Sequence, residues 1–457
     1  MNDNKTIFLG FYKSLFTIAI PIILQNLLQT FTNMMDTVMV GQLGETAITS
    51  VGLGNQIFFL LNMALFGISS GGAIFISQFW GARNFLGIRK TLTCMMVPAF
   101  IVSVLFMAGG LFFPEKILGF YSDDIEVVKL GSSYLRIACL TYPLMAVSFP
   151  LQMSYRSTEH VILPMITTMI SFVLNILANF ILIFGFEPLS IPAFGAPGAA
   201  IGTVIARFVE LCVTLSVGKL RKFEVFGTIK EHTAVTFEFI KKFFIVVIPV
   251  VLSESLWGCG ISFQNWIFSH TGTGQYSAFN IMNTVNQLTW VFFIGIGNAA
   301  AIILGKKIGA GLEKTAVAFA HRFCWFFPLL GLGIGFILFS LSKLLPFIFK
   351  VDPSIISITQ SLLMVLMCLY PFRAFNMLII IGICRSGGDT IFSFIIDNGF
   401  MWFVALPLGY VAAFYWGASP WLILLCLEVE QLLKTAAGIL RVISGKWLHN
   451  VTVERQH

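Results

Sequence analysis

The stretch SLWGCGISFQNWIFSHTGTGQYSAFNIMNTVNQLTWVFFIGIGNAAAIIL, Ser255 to Leu304, holds no Asp, Glu, Lys or Arg. A membrane-crossing helix takes about 20 apolar residues. This run is therefore too long for one helix, and His270-Thr271-Gly272-Thr273-Gly274 is its natural break. Two spans joined by a short polar turn make a lipid-embedded hairpin, and the rest of the chain reads the same way. Working outward, apolar runs fall at about 14–40, 46–78, 91–113, 127–154, 160–185, 196–217, 240–268, 273–305, 318–342, 354–384, 390–414 and 419–442. They are too long for barrel strands, and in lipid the other backbone that satisfies its own hydrogen bonds is the helix. The expected fold class is an all-α membrane protein with twelve transmembrane helices.

Composition agrees. The chain has 457 residues, 57% hydrophobic and 11% charged, where soluble domains carry roughly 25% charged residues. Its mean hydropathy is +0.89. So few charges cannot cover a water-exposed surface of this size, and lipid must cover it. The net charge of +7 does not point to nucleic acid, because the basic residues sit in short loops between apolar runs. One side receives Lys5, Lys13, Arg83, Arg89, Lys90, Arg156, Lys219, Arg221, Lys222, Lys230, Lys241, Lys242, Lys306, Lys307, Lys314, Arg322, Arg385, Arg441, Lys446 and Arg455. The other has little beyond Lys116, Lys129, Lys343 and Lys350, and its loop 114–126 is acidic. Lys and Arg favour the cytoplasmic side, so both termini are expected in the cytoplasm and the chain in the plasma (inner) membrane as a multi-pass protein. The first apolar run is too long for a cleavable signal and reads as the first span. The eight cysteines lie in apolar stretches without a CxxC pair and read as buried hydrophobes. The histidines, His457 among them, lie in or near loops and form no metal-ligand pattern.

The chain also repeats itself. Residues 73–82, AIFISQFWGA, resemble residues 301–310, AIILGKKIGA, and Gly309 minus Gly81 sets an offset of 228. Pro21 and Pro249, Gly44 and Gly272, and Tyr142-Pro143 and Tyr370-Pro371 keep that offset. Arg156-Ser157 and Arg385-Ser386 follow with a slip of one residue. Each repeat holds six spans, an even number, so the halves share one topology. Two six-helix bundles related by a pseudo-twofold axis along the membrane normal are expected. The boundaries are 1–217 for the first lobe, 218–239 for a basic cytoplasmic linker and 240–457 for the second lobe. A cleft between two such bundles is the architecture that alternating access uses.

Several stretches resemble the multidrug and toxic compound extrusion (MATE) family of antiporters in its bacterial NorM/DinF-like form. They are Ile20-Pro21-Ile22-Ile23-Leu24-Gln25, Met35-Asp36-Thr37-Val38-Met39-Val40-Gly41-Gln42-Leu43-Gly44, Gly81-Ala82-Arg83-Asn84, Tyr134-Leu135-Arg136, Gly198-Ala199-Ala200-Ile201-Gly202-Thr203 and Ser444-Gly445-Lys446-Trp447. The likeness covers nearly the whole chain. It implies export of organic, often cationic, compounds in exchange for Na⁺ or H⁺.

Charged groups inside a membrane are functional candidates by default. Asp36 is the one charge between Lys13 and Glu45, and Gln25, Gln29 and Asn33 lie on its helical face. That face lines a cavity or a packed hydrogen-bond network. Asn175 and Asn179 are four residues apart on the fifth span, and the sixth offers Thr203. One carboxylate with amide and hydroxyl oxygens suits a hard cation such as Na⁺, and equally a proton on Asp36. In the resemblance, Asp36, Asn175, Asn179 and Thr203 fall on the family's N-half cation site. Some members carry a second aspartate where this chain has Asn179. Met34, Met35 and Met39 are cavity candidates beside Asp36. Pro21, fifteen residues before Asp36, is either a hinge or a static proline near a helix start.

The second half has its own acid, Glu254, which members of the family pair with an acid on the tenth span. Here Arg373 stands near that place, and a structural Glu254–Arg373 pair is expected, with a second proton site or substrate contact as the alternative. Asp397 and Glu428 are further embedded acids, and Glu430 and Lys434 are spaced to pair. At the 228 offset Asp36 meets Gln264, Glu254 meets Asn26, and Asn175 and Asn179 meet Phe403 and Pro407, so the coupling site is expected in the first half alone.

The expected function is secondary-active antiport of small organic compounds, by a chain acting as a monomer in lipid, with no cofactor beyond Na⁺ or H⁺. A flippase for a lipid-linked precursor would want many intramembrane cations for a pyrophosphate, and few exist: Arg136, Arg207, Arg373 and Lys434. A membrane enzyme would want a His, Asp or Ser constellation, and no ATP-binding or HExxH motif is present.

Overall fold

The structure is a computed structural model that describes residues 2–348 and 351–452. Lys350, Arg455 and His457, counted above among loop residues, lie outside them, and the side chain of Lys5 is also outside the description. The described chain is helical, with a single isolated bridge between Phe186 and Ile191. In order the helices are α1 (Asn2–Gly41), α2 (Glu45–Gly81), α3 (Phe85–Phe112), α4 (Pro114–Gly119), α5 (Ile125–Ala138), α6 (Thr141–Ser157), α7 (Ile162–Phe184), α8 (Ala196–Leu220), α9 (Ile229–Thr233), α10 (Phe237–Ser269), α11 (Thr273–Gly309), α12 (Glu313–Leu341), α13 (Leu345–Ile348), α14 (Pro353–Met377), α15 (Thr390–Phe400), α16 (Leu406–Phe414), α17 (Pro420–Leu427) and α18 (Glu430–Ser444). Two π-helical turns, Leu378–Arg385 and Met401–Ala405, prolong α14 and join α15 to α16.

Among the described residues, ten helices are long and apolar enough to cross a membrane. Two of the twelve expected spans are built differently. The fourth is the pair α5–α6, bent by 48° at Cys139-Leu140. The twelfth is α17 and α18, interrupted at Glu428-Val429, a stretch that carries Glu428, Glu430, Lys434 and Arg441.

Packing divides the chain into two compact units. One comprises Ile20–Ile76 and Asn84–Val247, the other Met1–Ala19, Ser77–Arg83 and Ile248–His457. The helices α1 and α10 thus change unit at Ile20 and Ile248, positions that again stand 228 residues apart, each just before the proline of its repeat.

Within the second of these units the repeated AIFISQFWGA-type segment meets its own copy. A Cβ on Gly81 would run into the carbonyl of Lys306, and one on Gly309 into the carbonyl of Gln78. The duplicated glycines let two backbones touch, a contact that small residues alone permit. The Gln78 side chain is fully buried there and holds the C-terminal segment. Its amide nitrogen donates to Ser386 O (2.7 Å) and His449 O (3.1 Å), and its oxygen accepts from Val451 N (2.7 Å).

The linker 218–239 is fastened inside the first unit. Arg89 of α3 donates to Glu224 O (3.1 Å) and to the Glu231 carboxylate (2.6 Å), and His160 meets Glu224 at 2.9 Å. Glu231 closes a capping box with Thr228 at the start of α9.

The one-residue slip in the repeat has a structural cause. The offset is 228 at Tyr370-Pro371 and 229 at Arg385-Ser386, and the π turn Leu378–Arg385 lies between them. A π turn holds more residues than an α turn, so it absorbs an inserted residue without ending the helix.

Candidate cation site

In the unit formed by Ile20–Ile76 and Asn84–Val247, α1, α7 and α8 bring the predicted set together. Asn179 Nδ2 donates to Asp36 Oδ1 at 2.6 Å and to Asn175 Oδ1 at 3.3 Å. Asn175 Nδ2 donates to Thr203 Oγ1 at 3.2 Å, and Thr203 donates to Ala199 O one turn back at 3.0 Å. The i, i+4 spacing on α7 places both amides on one face, so a single chain of hydrogen bonds runs across three helices. Both asparagines are buried, and Asp36 is half-buried at the end of that chain. Asn179 Oδ1 is buried with no hydrogen-bond partner among the described residues. It lies against Gly202, where a Cβ would occupy its place. Asp36, Asn175, Asn179 and Thr203 therefore offer a carboxylate, two amide oxygens and a hydroxyl, with one buried amide oxygen, Asn179 Oδ1, left free to accept. Among the described residues no three His, Cys, Asp or Glu side chains gather to hold a metal ion.

The rest of the predicted stripe on α1 separates into different roles. Gln25 is 4% exposed and locked into a network, not open to a cavity. It accepts from Arg156 Nε (2.9 Å) and donates to Gln152 (2.8 Å) and Thr168 (3.0 Å). Gln152 and Thr168 in turn donate to Glu210, which Arg207 pairs at 2.7 Å. Of the two readings of the stripe, the hydrogen-bond network holds for Gln25. Gln29 and Met35 are half-buried and Asn33 is exposed. Met39, expected at a cavity wall, is instead packed with Val40, Val51, Tyr134 and Ile183 in a core cluster, because its position faces α5 and α7. Pro21 lies inside an unbroken α1.

Sequence reasoning assigned no role to three residues around Asp36 and the Gln25 network. Tyr134 is buried, donates to Asn55 Oδ1 (3.1 Å) and lies within electrostatic reach of Asp36. Arg207 also acts on Asp36 while paired with Glu210. Glu210, 1% exposed, is the hub of the Gln25 network. The available signal was the Arg207–Glu210 spacing of three on an otherwise apolar span.

The other unit corrects the expected Glu254–Arg373 pair. Glu254 pairs with Arg385 (2.6 Å), and Arg373 makes a two-pronged contact with Glu428 and also donates to Asn286 Oδ1 (3.1 Å). The sequence pattern places Arg385 among the loop charges. The π turn that ends with it carries it into the fold, where it is 3% exposed. The repeat foreshadows this contact: Arg156, its counterpart, reaches Asn26, the counterpart of Glu254, at 3.5 Å. Glu430 and Lys434 do pair, at 3.0 Å, and Lys434 is shared with Asp397 at 2.8 Å.

A helical chain with this many spans, two related halves and one embedded carboxylate held by an amide of a neighbouring helix is that of a polytopic membrane transporter. The sequence model of the MatE family matches residues 21–181 and again 249–411, so the chain belongs to that family, and the two matches start 228 residues apart on Pro21 and Pro249. A probable multidrug resistance protein NorM of Thermotoga maritima is 25% identical over 448 residues, covering 97% of this chain and 95% of the relative. A probable multidrug resistance protein YoeA of Bacillus subtilis is 24% identical over 411 residues, covering 88% and 87%. Among solved structures, the Vibrio cholerae MATE transporter VcmN in the bent form superposes with a TM-score of 0.83 at 17% identity, over 96% of this chain and 99% of that one. The eukaryotic MATE transporter AtDTX14 superposes with a TM-score of 0.82 at 18% identity, over 97% and 98%. The fold is thus the twelve-helix, two-lobed MATE fold.

Proposed function

We propose that this chain exports small organic compounds, often cationic, by alternating access in exchange for Na⁺ or H⁺ bound at Asp36. The observation that carries the reading is the 2.6 Å bond from Asn179 to Asp36, at the end of a buried amide chain that leaves Asn179 Oδ1 uncommitted. Relatives described as multidrug resistance proteins along nearly the whole chain support the substrate class. Cation entry at Asp36 from outside weakens substrate binding, and by linkage substrate weakens cation binding equally. Pro21 serves as the hinge of α1, and the basic loops keep both termini cytoplasmic.

A lipid-linked precursor as substrate is disfavoured by the state of the intramembrane cations. Arg136 pairs with Glu115, Arg207 with Glu210, Arg373 with Glu428, Arg385 with Glu254 and Lys434 with Asp397 and Glu430, and Arg156 is engaged by the amides of Gln25 and Asn26. The test is dye efflux from cells or vesicles carrying the wild-type chain or Asp36→Asn, under an imposed Na⁺ or proton gradient. Gradient-driven efflux is expected with the wild type and lost with Asp36→Asn. Full efflux by the variant sinks the proposal.

A further inference from the structure

We propose that Asp397, Lys434 and Glu430 form a second site, separate from Asp36, that binds and releases one proton. Charge bookkeeping in the buried heart of the second unit leads there. Glu254 is matched by Arg385, and Glu428 by Arg373. Asp397 and Glu430 share the single ammonium of Lys434, at 2.8 and 3.0 Å. Glu430 and Lys434 are 5% and 3% exposed. Two carboxylates and one ammonium leave one negative charge without a partner in surroundings where an unpaired charge is expensive.

The vacant position is visible. Glu430 Oε1 meets Lys434 and accepts from Gln431 Nε2 (3.2 Å), while Glu430 Oε2 is buried with no hydrogen-bond partner among the described residues. A proton from the aqueous phase adds to Oε2, makes the triad neutral, and returns to water on release. The charged groups that act on Glu430 are Lys434 on its own helix, Glu428 in the break before it, Asp397 on α15 and Arg373 on α14. Glu254 stands behind Asp397, and Ser253 donates to Asp397 Oδ2 at 3.3 Å. Of these groups, Arg373 is committed to Glu428 and Asn286. The remaining contacts of the neighbourhood are fixed by amides: Asn376 donates to Gln431 Oε1 (2.9 Å), and Asn398 donates to Ser253 (2.9 Å).

Location strengthens the assignment. The span that begins with α15 at Thr390 is the repeat partner of α7, which begins at Ile162, and α18 belongs to the repeat partner of α8. The helices that carry Asn175, Asn179 and Thr203 in one half therefore carry Asp397, Glu430 and Lys434 in the other. Uncommitted buried oxygens lie there in both halves, Asn179 Oδ1 in one and Glu430 Oε2 with Asn398 Oδ1 in the other.

The test is infrared difference spectroscopy of the full-length protein in vesicles, between alkaline and acid pH. The readout is the C=O stretching band of a protonated carboxylic acid, whose titration belongs to the triad as a unit. The wild type and Asp36→Asn should both show a band for roughly one proton at this site. Glu430→Gln should lose it. Asp397→Asn should lose it too, since Lys434 then balances Glu430 without a proton, an outcome that a merely structural triad would not give. Both variants mimic the neutral triad, and their melting should stay at the wild-type temperature. A band unchanged in both variants, a band lost in Asp36→Asn alone, a signal set by Na⁺ at fixed pH, or unfolding of both variants overturns the proposal. Failure of antiport at Asp36 leaves this spectrum untouched, so the two readings fail separately.

Discussion

Replacing Arg385 by Met should be among the most damaging single changes in the second unit, and adding Glu254→Gln should repair it. The two side chains meet at 2.6 Å, and their side-chain exposures are 4% and 12%. Removing the guanidinium strands Glu254 in a largely buried position, with the like charge of Asp397 acting on it. Breaking a buried pair this way costs about 3–5 kcal/mol, whereas removing both charges together is often close to neutral. For a body of more than 200 residues, a melting temperature moves about 2–4 °C per kcal/mol. Arg385→Met should therefore melt roughly 10 °C below the wild type, with the Glu254→Gln/Arg385→Met double variant back within about 4 °C. The assay is thermal unfolding of the purified protein in detergent for the wild type, both single variants and the double. Glu254→Gln should not repair Arg373→Met, whose stranded partner is Glu428. If the penalties simply add, or if Glu254→Gln rescues Arg373→Met in place of Arg385→Met, the pairing described here is wrong.

Other consequences are open to measurement. Gly202→Ala places a methyl group where Asn179 Oδ1 lies, so dye efflux should fall at least tenfold, a loss of about 1.4 kcal/mol in the coupling step. Gly52→Ala, where nothing stands within 4 Å, should leave efflux unchanged. Gln78→Ala frees the carbonyls of Ser386 and His449 and the amide of Val451, so hydrogen exchange and proteolysis at residues 446–452 should speed up, with about 1–3 kcal/mol lost per buried group left unpaired. The backbone amide and hydroxyl of Thr228, with Arg89, hold the Glu231 carboxyl below the usual carboxylate range. That contribution is present above the ordinary glutamate value and lost as the pH falls through the depressed one. Protection factors at residues 229–233, with the intrinsic pH dependence of amide exchange divided out, should fall on acidification in the wild type and hold steady in Glu231→Gln.

Much of the fold was legible because lipid imposes a crude rule: apolar runs of span length must be helices. That Asp36 needs a polar partner was legible for a related reason, while the choice of Asn175, Asn179 and Thr203 came from the family resemblance. A lone charge in an apolar span needs company, and asparagines spaced by four on another span can supply it. Partner choice among several embedded charges was not legible, because it depends on rotation about helix axes. Arg373 and Arg385 are twelve residues apart in sequence, and the π turn between them shifts the face on which Arg385 emerges. Composition assigns Arg385 to a loop, since Ser386-Gly387-Gly388 follows at once. The repeat held the missing clue: the Arg156-Ser157 and Arg385-Ser386 landmarks slipped by one residue, the mark of an insertion inside a helix. The role of Gln25 turned on Glu210, a residue on a distant span whose burial no periodicity reveals.

The composition of the compact units bears on how the chain is made. The first, Ile20–Ile76 with Asn84–Val247, is complete in sequence when little more than half the protein has been synthesised. The second enlists residues 1–19 and 77–83 and then depends on a segment some 370 residues later, since Gln78 is satisfied by His449 and Val451. Gln78 therefore stays without these two partners until residues 449–451 have been made. Truncations that spare every membrane helix but remove the last few residues of the tail should therefore leave half the molecule folded and the other half unlatched.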